Sequence, residues 1–150
     1  MTQRLERLIY ALLLLLRYNE GLSLISPADF ASGKLILWVD ASSRAVGCLL
    51  TILLEDNIIY SLYCASKALP KNSKSFCSNT SELFAVGVAL SACSQLIATE
   101  ACTVMTDSMY VWRCFNMLDI ESIPMRLRAL VLDIKVSYNV SFCHISAVDN

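Results

Sequence analysis

Lys34-Leu35-Ile36-Leu37-Trp38-Val39-Asp40 is a short apolar run that ends on an acid. Its length and its β-branched and aromatic content read as a buried strand. Two more such runs follow at hairpin spacing. Ala45 to Glu55 is rich in leucine, Asp56-Asn57 supplies a turn, and Ile58 to Ala65 makes a third strand. The three form an antiparallel meander with short connections.

Beyond a polar loop from Ser66 to Ser78, Thr80 to about Ile97 reads as a helix that is apolar on nearly every side, so burial is expected. Cys102 to Thr106 is a short strand running into Asp107-Ser108, residues that start a helix to about Asn116. Ser122 or Pro124 opens another helix to about Ser137, and Val140 to Ile145 closes as a strand. The order βββαβααβ predicts an α/β fold, a mixed sheet in which a three-strand antiparallel meander is extended by parallel strands, with helices packed on it.

Length and composition bound the rest. The chain has 150 residues, enough for one domain with a sizeable core. Its 17% charged residues fall short of the quarter usual in soluble domains, so the chain is expected either within a larger assembly or as a drifting copy. Lys and Arg number 12 against 13 Asp and Glu, which excludes a globally basic nucleic-acid binder. Any phosphate contact must be local, and Arg44, Lys67, Lys71 and Lys74 are the basic residues placed for it. The seven cysteines are scattered without a C-x-x-C, and His144 is the lone histidine. Buried free thiols in a reducing compartment fit this pattern better than zinc or disulfides.

Residues 8–16 form a leucine-rich run too short to span a bilayer. Arg4 and Arg7 before it imitate a signal peptide, but no small-x-small cleavage site follows. The expectation is a helix from Leu5 to Leu16, ended by Gly21, that packs outside the core. Residues 22–33 read as a connector containing Pro27, Asp29 and Gly33. The expected organisation is therefore residues 1–33 as helix and connector, and residues 34–150 as the folded domain.

Three acids stand at element ends. Asp40 closes the first strand, Glu82 lies in the first turn of the long helix, and Asp107 leaves the fourth strand. If the first and fourth strands are neighbours, Asp40 and Asp107 share one sheet end, and a helix crossing the sheet sets Glu82 over them. Clustered carboxylates repel and call for a cation. Hard oxygen donors with open positions suit magnesium shared with substrate phosphate. Each acid also has a plain explanation. Asp40 serves as a turn residue beside Ser42 and Ser43, Glu82 as the capping partner of Asn79, and Asp107 as an ordinary N-cap.

Five motifs bear on that choice. Val39-Asp40-Ala41-Ser42 with Gly47-Cys48-Leu49-Leu50 resembles the opening of ribonuclease H in gypsy-class LTR retrotransposons. Tyr63-Cys64-Ala65-Ser66-Lys67-Ala68-Leu69 resembles that family's Tyr-Ala-Ser-Arg-x-Leu segment, and Asn79-Thr80-Ser81-Glu82-Leu83-Phe84-Ala85 its Thr-x-x-Glu-Leu-x-Ala helix start. Val104-Met105-Thr106-Asp107-Ser108-Met109-Tyr110 is similar to the third motif, in the Thr-Asp-Ser-x-Tyr form of retroviruses. Cys143-His144-Ile145 and the residues to Asn150 resemble the closing strand and its His-x-x-x-x-x-Asn continuation. The five stand in the family's order over residues 34–150, with a fainter echo from Leu22 of the segment joining polymerase to nuclease.

The resemblance implies a nuclease cutting the RNA strand of an RNA–DNA hybrid, joined to the polymerase part of the same polyprotein. It implies Asp40, Glu82 and Asp107 as ligands of two magnesium ions, or of manganese, with no small-molecule cofactor and no membrane partner. It also implies an intracellular setting, a cytoplasmic particle or the nucleus, and no secretion. The family's fourth acid follows the asparagine that Asn150 matches, so the domain reads as cut off before it and its activity as impaired. A silent module that only packs against a polymerase is the competing expectation. Asp149 stands where the family has a glutamate and is not taken as a ligand. Phe76 replaces a tyrosine of many relatives and cannot hydrogen-bond. His144 is read as structural and Trp38 and Trp112 as core, while Tyr110 and Trp112 could also face substrate.

Overall fold

The computed structural model describes residues 27–42, 44–69, 77–97 and 100–146. The expected helix from Leu5 to Leu16, Lys71, Lys74, Phe76 and Asp149 lie outside these residues. The chain divides into two compact units, Met1–Phe30 and Ala31–Asn150. The sheet and the helices packed on it belong to the second.

The elements in chain order are α1 (Pro27–Ser32), β1 (Lys34–Ala41), β2 (Ala45–Leu53), β3 (Ile59–Ala68), α2 (Ser78–Ile97), β4 (Cys102–Thr106), α3 (Met109–Asn116), a 3₁₀ turn (Ile120–Ser122), α4 (Met125–Ser137) and β5 (Val140–His144). The strands form one sheet in the order β3-β2-β1-β4-β5. The meander pairs antiparallel, while β4 joins β1 and β5 joins β4 in parallel. This is the expected mixed α/β architecture.

Three local readings are corrected. The connector holds a short helix, Pro27–Ser32, because proline at the first helical position is preset for helix and Gly33 follows to end it. Strand β2 stops at Leu53 and β3 runs on to Ala68. The turn takes Leu54 to Ile58, with Asn57 in the left-handed region at φ 62°. Helix α2 begins at Ser78, which puts Asn79 inside the helix rather than at its cap and Glu82 just past the first turn.

Alternation on β1 explains the core. Leu35, Leu37 and Val39 are buried, as are Leu50 and Ile52 on β2 and Val104 on β4. Onto them α2 lays Leu83, Val86, Leu90, Cys93 and Ile97, a stripe at helical spacing. Burying each such side chain fully is worth roughly 1.5–3 kcal/mol. The same stripe accounts for a helix long and apolar enough to cross a membrane by composition. On the opposite face of the sheet, Trp38 Nε1 donates to Thr51 Oγ1 at 3.1 Å, and the Thr51 hydroxyl donates to the Ile36 carbonyl. Trp38 and Trp112 are half-buried rather than core.

All seven cysteines are free thiols, although Cys64, Cys77 and Cys143 are exposed rather than buried. Burial pushes the Cys93 thiol up to about 12 and Cys102 up to about 11, so both stay protonated at neutral pH.

Candidate active site

The parallel pairing of β1 with β4 builds the site. Leu35 pairs with Cys102, and the ladder continues to Trp38 with Met105. Carried two residues further along each chain, that register brings Asp40 beside Asp107 at the carboxyl ends of adjacent strands. Such strand ends are where open α/β sheets bind ligands. Across the antiparallel side, Asp40 pairs with Gly47. Among the described residues, no heavy atom beyond its chain neighbours lies within 4 Å of where a Cβ on Gly47 would sit. A shallow depression of about 240 Å³ runs over Trp38, Asp40, Gly47 and Leu49.

Glu82 projects from α2 into the same electrostatic neighbourhood. Its carboxyl is pushed up to about 7, first by burial, then by the charge of Asp107 and that of Asp40. The three acids are therefore coupled. They are not gathered into a cage: among the described residues no three His, Cys, Asp or Glu side chains are close enough to hold one metal ion. The two observations agree, because charges act over many ångström whereas magnesium holds its oxygens at about 2.1 Å.

The capping alternatives lose ground. Ser108, not Asp107, caps α3, its side-chain oxygen accepting from the Val111 N–H. The Ser108 N–H donates to Thr106 Oγ1 at 3.1 Å. Asp107 is left with its carboxylate uncommitted to the helix and its backbone clamped on both sides. Ile145 N–H donates to the Thr106 carbonyl at 3.0 Å. His144 Nε2 lies 3.1 Å from the Asp107 carbonyl, and since a carbonyl only accepts, this nitrogen carries the proton. Sequence reading treats His144 as structural and so misses its position beside a site acid. The signal was the pairing of β5 with β4, which sets His144 opposite Thr106.

Around this clamp, Phe115 of α3 stacks on Phe142 of β5 at 3.8 Å, with Lys135 of α4 over the Phe115 ring. Tyr110, on the first turn of α3, is half-buried, and burial pushes its hydroxyl up to about 12. It stays protonated and able to donate.

Against family models, residues 31–126 match the RNase H-like domain found in reverse transcriptase. The chain belongs to that family. No curated protein matches. Among solved structures, RNase H1 from Halobacterium salinarum superposes with a TM-score of 0.55 at 15% identity, over 78% of this chain and 89% of that one. LC11-RNase H1, isolated from compost, in complex with RNA/DNA hybrid gives 0.56 at 19%, over 78% and 88%. The foamy viral protease-reverse transcriptase in complex with dsDNA gives 0.64 at 12%, over 98% of this chain and 30% of the viral one. At these identities the likeness establishes the RNase H fold, which the sheet order and helix placement already display.

Proposed function

We propose that this RNase H-like domain is a divalent-metal-dependent nuclease of a gypsy-class retrotransposon polyprotein, cutting the RNA strand of RNA–DNA hybrids inside the cell. The observation that carries this reading is the β1–β4 register that brings Asp40 beside Asp107 at one sheet end, with Glu82 near enough for their charges to act on it. Burial and two like charges hold a carboxyl half-protonated at neutral pH, a cost that a bound cation would offset.

The donor set suits a hard cation. Asp40, Glu82 and Asp107 would hold magnesium, or manganese in its place, and the ions would supply charge for attack of water on a phosphodiester. The chain's own residues do the rest. Asp40 and Asp107 present carboxylates from a rigid strand pair, and the Thr106–Ser108–His144 clamp fixes where Asp107 leaves the sheet. The shallow depression over Trp38, Asp40, Gly47 and Leu49 would take the duplex backbone. Hybrid would be told from DNA by its ribose hydroxyls and shape, not by sequence.

A second reading is a silent RNase H-like module that packs against a polymerase. The spacing of the three acids, too wide for a shared ion as they stand, favours it. Incubating the chain with labelled hybrid, duplex DNA and single-stranded RNA at millimolar magnesium separates the two. Selective loss of the RNA strand of the hybrid supports the nuclease. A folded protein that cuts none of the three supports the module.

A further inference from the structure

Strand β3 is one margin of the sheet, and among the described residues β2 is its only strand neighbour. Among the described residues, no strand pairs with its outer row of backbone N–H and C=O groups. Natural edges are usually blunted by charge, proline or shortness. This one is ten residues long. It has no charge and no proline between Asn57 and Ser66, with Ile59 55% and Tyr63 37% exposed.

Two features select a partner. First, the ends of the β2–β3 hairpin carry opposite charges. Exposed Glu55 and Asp56 mark the turn, while exposed Arg44 and Lys67 mark the open end, where Leu69 N–H donates to the Arg44 carbonyl. Second, the ladder slips between Leu50 and Thr51, so that Leu50 pairs with Tyr63 and Ile52 with Tyr60. Leu50 and Ile52 share the α2 face, so Tyr60 and Tyr63 share it too, although simple alternation would put them on opposite faces.

We propose that β3 pairs antiparallel with β3 of a second copy of this chain, joining two sheets into one about a two-fold axis. In such a pairing, facing residues must lie on the same side of the sheet. The slip permits this for Tyr60 against Tyr63 of the second copy, and for Ile59 against Cys64. That register also brings the Asp56 turn against Lys67 of the second copy, twice by symmetry. The partner is a second copy because the acidic and basic ends of one hairpin complement each other when it is turned end for end. The pairing does not depend on the nuclease reading.

Sedimentation equilibrium of the full chain at low salt tests this. The expected mass is twice 16.6 kDa. Asp56→Lys alone and Lys67→Glu alone should each weaken the dimer on the order of tenfold or more. An equimolar mixture of the two should restore it, because every end then meets its opposite. Tyr63→Lys should also yield monomer. The Asp56 carboxylate accepts from the Ile58 N–H, so if circular dichroism shows Asp56→Lys misfolded, Glu55→Lys replaces it. A wild-type chain that stays monomeric to on the order of 100 μM would overturn the proposal. So would a dimer indifferent to all these changes, open-ended assembly, or folded single variants that fail to reassociate when mixed.

Discussion

His144 Nε2 donates a hydrogen bond to the backbone carbonyl of Asp107 at 3.1 Å, tying the end of β5 to the exit of β4. Through it the lone histidine bears on the direction in which Asp107 leaves the sheet.

His144→Ala should therefore act on turnover more than on folding. Losing one such bond costs about 0.5–1.5 kcal/mol of stability. Displacing a site carboxylate costs on the order of tenfold or more in rate. In steady-state cleavage of hybrid, kcat should fall while KM holds, with the melting temperature little changed. A loss confined to KM would show that His144 contacts substrate rather than positions Asp107.

The raised Glu82 carboxyl makes stability depend on pH in a definite direction. With its folded value near 7 and its unfolded value in the ordinary carboxylate range, the folded state holds the proton longer. The stability this supplies is complete below about pH 4 and is lost as pH rises through 7. Without metal, Glu82→Gln should match wild type near pH 4 and exceed it at pH 8 by about 1–2 kcal/mol, after discounting for solvent screening. Urea titrations at the two pH values give the comparison. Equal gaps at both would mean that burial and the neighbouring acids do not raise the Glu82 carboxyl.

Much of the fold is legible in residues 34–65, where apolar runs broken by Asp56-Asn57 dictate a meander. The buried helix α2 and the strand at Cys102–Thr106 are legible as apolar runs, but which α2 residues form the buried stripe is not, because the helix is apolar on nearly every side. The candidate site is legible as far as strand ends go, since Asp40 and Asp107 close two runs that the architecture makes neighbours. The hidden features depend on contacts between distant segments. Whether Ser108 or Asp107 caps α3 is decided by Thr106 and β5. The ladder slip opposite Leu50 is one extra residue, Leu62, that no local propensity marks. The spacing of the three carboxylates is set by how α2 packs, which periodicity does not specify.

Gly87 on α2 shows one such packing detail. A Cβ there would meet Leu130 Cδ1 of α4 at 3.0 Å, the tip of a flexible side chain. Leu130 also borders a cavity of about 550 Å³ between α2, α4 and the edge of the sheet, so it has room to retreat. Gly87→Ala should then keep its helix-propensity gain and stabilise by about 0.5–1 kcal/mol. Gly87→Val should destabilise, because a branched side chain adds bulk at the same contact. Chemical denaturation distinguishes these. Destabilisation by Ala would show that Leu130 cannot move.

Asp40, Glu82 and Asp107, on the proposed function, work together on a nucleic-acid backbone. Magnesium-dependent cleavage of an RNA–DNA hybrid by the 150-residue chain tests this most directly. The chain is compared with its Asp40→Asn and Asp107→Asn variants. Loss of the RNA strand of the hybrid, with duplex DNA spared, is expected from the unaltered chain, and each substitution should lower the rate on the order of a hundredfold. Cutting that persists undiminished in Asp40→Asn, or a folded chain that never cuts the hybrid, would contradict the proposed function.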